Sequence, residues 1–328
     1  MGIDILILNT AVADFRSPQF GFVEQLADAG GLAKCDTEDM PDYDQGEYRK
    51  WIEEGRAAPG GSGNTAPLLA RAGVNVAVGG YVGAGDYDGL DAQGRFFRDS
   101  LAAEGVDVSA LRVHPSLPSG TTFVCERESD ERGGLAYFPN ANDEFDFDIF
   151  RKEVERLEPR IVYYMYSGLS RRGDANGGRD LADFVRWCRG RGALTLVDSH
   201  TLCGNPQEVI SSGQPVEQYK LLRPLLPELD LFFTSSDEAC MIENTLGDAR
   251  DWSRLDTAEL AGHFLQFAAD TFLHKRDGPR LFGVTVTDAG TPTTALLFNG
   301  SLVSGGVVDL GFALALSRRA TSRGEWAV

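Results

Sequence analysis

No stretch of the 328 residues approaches the roughly 20 consecutive apolar residues that a membrane span requires. The apolar opening, Ile3 to Leu8, is too short for the core of an export signal and carries Asp4. A soluble, cytoplasmic protein with no membrane partner is therefore expected. Basic residues are scarce as well, with 31 Lys and Arg against 49 Asp and Glu, for a net charge of −18. Such a chain repels a phosphate backbone, which argues against nucleic acid as a partner. Cysteine is sparse. The five residues Cys35, Cys125, Cys188, Cys203 and Cys240 are odd in number, scattered and without a C-x-x-C pair, and they read as reduced thiols. No G-x-G-x-x-G follows the first apolar run, so a nicotinamide dehydrogenase lacks its phosphate turn.

What is present is a globular composition, 42% hydrophobic and 24% charged, with enough length to bury a large α/β core. The chain is organised around Pro59 to Gly73, a glycine-rich turn that feeds into a short amphipathic helix. Gly60, Gly61 and Gly63 let the backbone bend, and Asn64 or Thr65 is placed to cap the helix. A helix N-terminus favours polar or anionic ligands, although a plain turn and cap explains the same letters.

Ile3 to Leu8 reads as a buried strand whose carboxyl end, at polar Asn9 and Thr10, opens toward a site, with Asp14 just beyond. Residues 36 to 44 are acidic and poor in apolar side chains, which predicts an exposed loop, followed by a short helix over Tyr48 to Glu54. Apolar alternation predicts strands over Val108 to Val113, Thr121 to Cys125 and Gly134 to Phe138, belonging to a lid and to the sheet edge. From residue 146 helices and strands alternate: helix Phe147 to Leu157, strand Ile161 to Tyr166, helix Arg179 to Arg191, strand Leu194 to Asp198, and later strand Leu229 to Thr234. That order implies βαβ crossovers and a parallel sheet covered on both faces. No repeat or linker divides residues 1–328, which read as one domain.

The glycine turn, the strand Val74 to Gly83, the Asp91-Ala-Gln-Gly94 segment, Gly105-Val-Asp-Val108 and Ser119 to Val124 occur in an order that resembles the ribokinase-like (PfkB) carbohydrate and nucleoside kinases. The resemblance implies a three-layer α/β/α sandwich with a small β-lid, here from about residues 15–58 and 110–140. It implies ATP and Mg²⁺ as cofactors and a sugar or nucleoside as substrate, and it leaves a homodimer open. By the resemblance Asp14, Gly60, Gly61 and Asn64 would grip the acceptor. Ser235, Thr287, Asp288 and Gly290 would meet the nucleotide, and Glu238 the metal. A loop aspartate, a first-turn helix acid and a β-turn explain Asp14, Glu238 and Asp288 to Gly290 equally without a ligand. Asn64 follows the glycines one residue sooner than the family's spacing, and Ser235 and His200 stand where the family carries asparagines.

Gly83-Ala-Gly-Asp86 spells the family's catalytic anion-hole motif but follows an early strand, so it is expected to be non-catalytic. The family places that motif late, and here residues 310–328, after Asp309, contain no such sequence, which leaves the catalytic base unassigned. A truncation or a shifted reading frame is the expectation for that tail, with a divergent natural terminus as the alternative, and without the motif's base and backbone donors little turnover is expected. Two readings follow, an ATP-dependent kinase and a catalytically silent or truncated relative that only binds a sugar or nucleoside.

Overall fold

The computed structural model describes residues 2–126, 133–247, 252–256, 258–264, 281–288, 291–298 and 301–306. In chain order the first strands are β1 (Ile5–Leu8), β2 (Ala11–Ser17), β3 (Leu32–Lys34), β4 (Ala57–Gly61) and β5 (Val76–Tyr87). They are followed by β6 (Asp107–His114), β7 (Gly120–Cys125), β8 (Leu135–Phe138), β9 (Ile161–Tyr164) and β10 (Leu194–Asp198). The last are β11 (Leu231–Ser235), β12 (Leu281–Asp288), β13 (Thr291–Phe298) and β14 (Ser301–Gly306). The helices begin with α1 (Gln45–Glu53), α2 (Ser62–Arg71), α3 (Ala92–Ala103) and α4 (Phe147–Leu157). After them come α5 (Arg179–Gly190), α6 (Pro206–Ser212), α7 (Leu222–Leu225) and α8 (Ser236–Leu246). Among the described residues no helix is long and apolar enough to cross a membrane.

β1 has four buried residues and no polar one because it pairs in parallel on both edges, with β5 and β9, and is covered on both faces. Its side chains alternate between two helical layers. Leu6 and Leu8 join Phe145, Phe150, Tyr164 and Phe184 on one side, while Ile5 and Ile7 join Ala66, Phe97 and Leu101 on the other. Each fully buried side chain of this kind contributes about 1.5–3 kcal/mol. The large sheet runs β14-β13-β12-β11-β10-β9-β1-β5-β6, parallel from β6 to β12 and antiparallel beyond. This is the expected three-layer α/β/α sandwich.

A second sheet, β3-β8-β7-β2-β4, stands apart from the large one. Its packed face closes on Phe15, Phe20, Tyr48, Trp51, Phe123 and Phe138, with edge-on contacts such as Phe20 to Phe123 at 4.9 Å between centroids. α1 supplies Tyr48 and Trp51 to that cluster. It begins three residues before the expected Tyr48, because Asp44 and Glu47 form a reciprocal capping box.

Two details differ from expectation. β6 pairs with β5 and forms the expected edge of the large sheet, so residues 110–114, placed at the start of the lid segment 110–140, belong to the large sheet. β5 continues to Tyr87 and takes Gly83 to Asp86 into a strand, held by Gly83 N–H on Ser119 Oγ at 2.8 Å and Asp91 N–H on Gly83 O at 3.0 Å, and glycine is needed there since a Cβ at Gly83 or Gly85 would overlap Asp91 or the backbone beside it. Asp91 N-caps α3 through the Gly94 N–H at 2.7 Å and accepts from the Ser119 N–H and hydroxyl at 2.7 and 2.6 Å.

Candidate active site

The chain crosses between the two sheets at sharply bent points. Asn9 and Thr10, between β1 and β2, have φ of 75° and 46°; Gly61, between β4 and α2, has φ of 54°; and Asn140, after β8, has φ of 52°. Side-chain amides brace these bends: Asn9 Nδ2 donates to Met165 O at 3.1 Å, Asn142 Nδ2 to Ala11 O at 2.8 Å and Asn140 Nδ2 to Ser119 O at 2.9 Å. Between the bends lies a cavity of about 460 Å³. Its walls are the open face of the small sheet and the residues that follow β1, β9 and β10.

Asp14 lines this cavity from β2, half-buried, in register with Ala58 of β4 and Thr122 of β7. A Cβ on Gly60 would overlap the Asp14 carboxyl group, so glycine at position 60 leaves the carboxylate its place. At Gly61 the positive φ and an overlap with the Thr10 carbonyl oxygen demand glycine twice over. Gly61 is itself the N-cap of α2 and makes no side-chain cap. Asn64 and Thr65, expected to cap, instead lie inside the first turns, because the chain turns into the helix before reaching them. Asn64 lines the cavity beside Gly61.

Thr10, noted at the end of the first strand, lines the same space, and so do two side chains that the sequence reading did not name, Tyr137 and Tyr166. The Thr10 hydroxyl is buried and has no hydrogen-bond partner among the described residues, while the Tyr137 hydroxyl lies beside the Asn142 side chain. Thr10 carried a signal, as a polar residue directly after an apolar strand. The two tyrosines arrive through long-range packing that no local pattern announces. His200, noted as a departure from the family, lines the cavity too and meets the Tyr166 ring edge-on at 4.5 Å.

The remaining candidates sit farther along the same carboxyl edge. Ser235 is the N-cap of α8, and Glu238 completes a capping box with it: Glu238 N–H donates to Ser235 Oγ at 3.2 Å, and Ser235 N–H to Glu238 Oε2 at 3.0 Å. The Ser199 hydroxyl donates to the same Oε2 at 2.8 Å. Ser235 pairs with Thr287 in the β11–β12 register, which brings Thr287 and Asp288 to that edge, while Gly290 lies outside the described residues. No cluster of three or more His, Cys, Asp or Glu suited to a metal occurs among the described residues. One buried carboxylate fits a Mg²⁺ that keeps most of its ligands as water and phosphate oxygen, and does not fit an all-protein cage.

Asp198 ends β10 between the two groups. Burial pushes its carboxyl up to about 7, the Tyr163 hydroxyl and Tyr166 N–H oppose the rise, and the Glu238 charge adds to it. Burial likewise lifts Asp174 to about 6 against the pull of Lys34. Both groups hold protons in the folded state that the unfolded chain, near 3.8, has released. Stability is therefore expected to fall as pH rises from about 4 to 7, by at most about 1.4 kcal/mol per unit for each group. Denaturant titrations across that range check this. Asp198→Asn should flatten the slope, and an unchanged slope would disprove the assignment.

The profile of the pfkB family carbohydrate kinases matches residues 39–186. Among solved structures, adenosine kinase from Anopheles gambiae superimposes with a TM-score of 0.64 at 15% identity, covering 97% of this chain and 90% of that one. Adenosine kinase from Trypanosoma brucei brucei gives 0.62 at 19% identity over 98% and 94% of the two chains. Fructokinase from Xylella fastidiosa with bound ATP gives 0.58 at 18% identity over 98% and 83%. At these identities the likeness is one of fold. No curated protein sequence matches.

Proposed function

We propose that this chain, which matches the pfkB family of carbohydrate kinases over residues 39–186 and has the ribokinase-like fold, is a member of that family and transfers the γ-phosphoryl of ATP to a hydroxyl of a sugar or nucleoside. The observation that supports this reading is the juxtaposition of two groups. Asp14, with Gly60, Gly61 and Asn64, belongs to the small sheet and the start of α2 and faces a cavity bounded by the carboxyl ends of β1, β9 and β10. Ser235 ends β11, Glu238 follows it in α8, and Thr287 and Asp288 end β12, one and two strands beyond β10. In this reading Asp14 accepts hydrogen bonds from acceptor hydroxyls, and the start of α2 favours electron-rich oxygens. The small sheet acts as the lid that keeps bulk water off. Ser235, Thr287, Asp288 and Gly290 would meet the nucleotide, and Glu238 would help to hold Mg²⁺. When bound, Mg²⁺ neutralises charge on the phosphates. Positioning and electrostatic stabilisation supply most of the rate in such transfers.

One observation favours a second reading, binding without transfer: Gly83 to Asp86 lies within β5 and not at the head of a helix. An ATP-to-ADP turnover assay over a panel of sugars and nucleosides, run beside thermal shifts on the same panel, separates the two. Acceptor-dependent turnover is the expected result. Thermal shifts without turnover would establish the binder, and silence in both assays would refute the site.

A further inference from the structure

Tyr166 stands out on the cavity wall because a bulky residue holds φ of 61° there. Such a conformation is sparsely populated for a side chain of this size and persists only when the surroundings enforce it. The enforcing group is visible. Tyr166 N–H donates to Asp198 Oδ1 at 2.6 Å, and the Tyr163 hydroxyl occupies Asp198 Oδ2 at 2.6 Å. The next residue adds two bonds to the Asp198 carbonyl oxygen, from Ser167 N–H at 3.1 Å and Ser167 Oγ at 3.0 Å. His200, two residues after Asp198, is fixed in turn by the Tyr219 hydroxyl on its carbonyl oxygen at 2.8 Å, and its ring meets that of Tyr166.

We propose that Asp198 is a positioning residue for the acceptor cavity: its carboxylate holds Tyr166 in the left-handed conformation and so sets the wall formed by Tyr166 and His200. It touches no ligand itself. Its two carboxylate oxygens divide the work, since only Oδ1 grips the Tyr166 backbone. The link to acceptor affinity rests on the function proposed above, whereas the grip on Tyr166 does not.

Hydrogen exchange on the ligand-free protein tests the grip. Asp198→Ala is expected to raise exchange in residues 163–170 while β1 and β5 stay protected. Asp198→Asn, which keeps an acceptor oxygen, should restore protection, and Tyr163→Phe, which empties only the Oδ2 side, should leave it intact. Unchanged protection in Asp198→Ala, or equal loss in Tyr163→Phe, would overturn the proposal. Should Asp198→Ala not fold, the Tyr166→Gly/Asp198→Ala pair takes its place, because glycine adopts positive φ freely. Recovered folding supports the grip, and continued failure overturns it. Calorimetry with whichever sugar or nucleoside the parent binds should show affinity about tenfold weaker in Asp198→Ala and near parental in Asp198→Asn. Parental affinity in Asp198→Ala would overturn the link to the acceptor. A parent that binds no sugar or nucleoside would refute the proposed function instead, while exchange still decides the grip.

Discussion

Asp14→Ala is expected to lower acceptor-dependent kcat/KM by about 10²–10⁴-fold, with little loss of stability. The carboxylate is half-buried on the cavity face of β2, so its removal leaves no core void. A hydrogen bond to a charged acceptor is worth about 1.5–3 kcal/mol, and two acceptor hydroxyls on one carboxylate bring the loss to about 3–6 kcal/mol, which sets the range above. Gly60→Ala should act in the same direction from a neighbouring strand, because the new Cβ would overlap the carboxyl group and push it from its place. Steady-state kinetics of both variants, with denaturant titrations beside them, check the argument. A loss below tenfold in Asp14→Ala would mean that Asp14 does not hold the acceptor.

The second large effect is on folding. Gly61→Ala is expected to cost about 2–4 kcal/mol, of which about 1–3 is backbone strain at positive φ and the rest is overlap with the Thr10 carbonyl. The backbone has little freedom to relieve that overlap, since Gly61 is paired with Ala11 across the β2–β4 ladder. Gly73→Ala supplies the control. Gly73 also has positive φ, 82°, but open space surrounds its missing Cβ, so that variant carries strain alone. Thermal and denaturant unfolding should show the larger loss in Gly61→Ala, from the overlap together with its backbone at φ 54° and ψ −123°. Equal losses would show that the Thr10 contact is unimportant.

Where sequence reading succeeded, the signal was local. Ile5 to Leu8 announced a central strand because a two-sided burial demands an unbroken apolar run. Glu238 reads as an acid of a helix's first turn, and it stands there, three residues after the N-cap Ser235 of α8. Asn64 misled as a cap because a polar side chain near a glycine turn looks the same whether the helix starts at it or before it. The extension of β5 through Gly83 to Asp86 was illegible, since the partners that stabilise it, Asp91 and Ser119, are set by tertiary packing. Asp14, Gly61 and Asn64, all of which line the cavity, were singled out in the sequence, because a polar residue just past a strand end and a glycine turn before a helix are local features. Tyr137 and Tyr166 were not, because their value at the cavity comes from strands and loops far apart in the chain.

The bent crossings at Asn9 and Thr10, at Gly61 and at Asn140 also constrain how the two sheets move. They lie together at the root of the small sheet and are linked: Asn142, two residues after Asn140, donates to Ala11 O beside Thr10, and Ser62 N–H, beside Gly61, donates to Thr10 O at 3.3 Å, so rotation at one crossing strains a bond at the next. The tilt between the sheets then behaves as a single collective coordinate, of the kind that relaxes in microseconds to milliseconds. A molecule touching both walls would be felt as one concerted shift of all these torsions, and a substitution at any crossing would retune the stiffness of the whole.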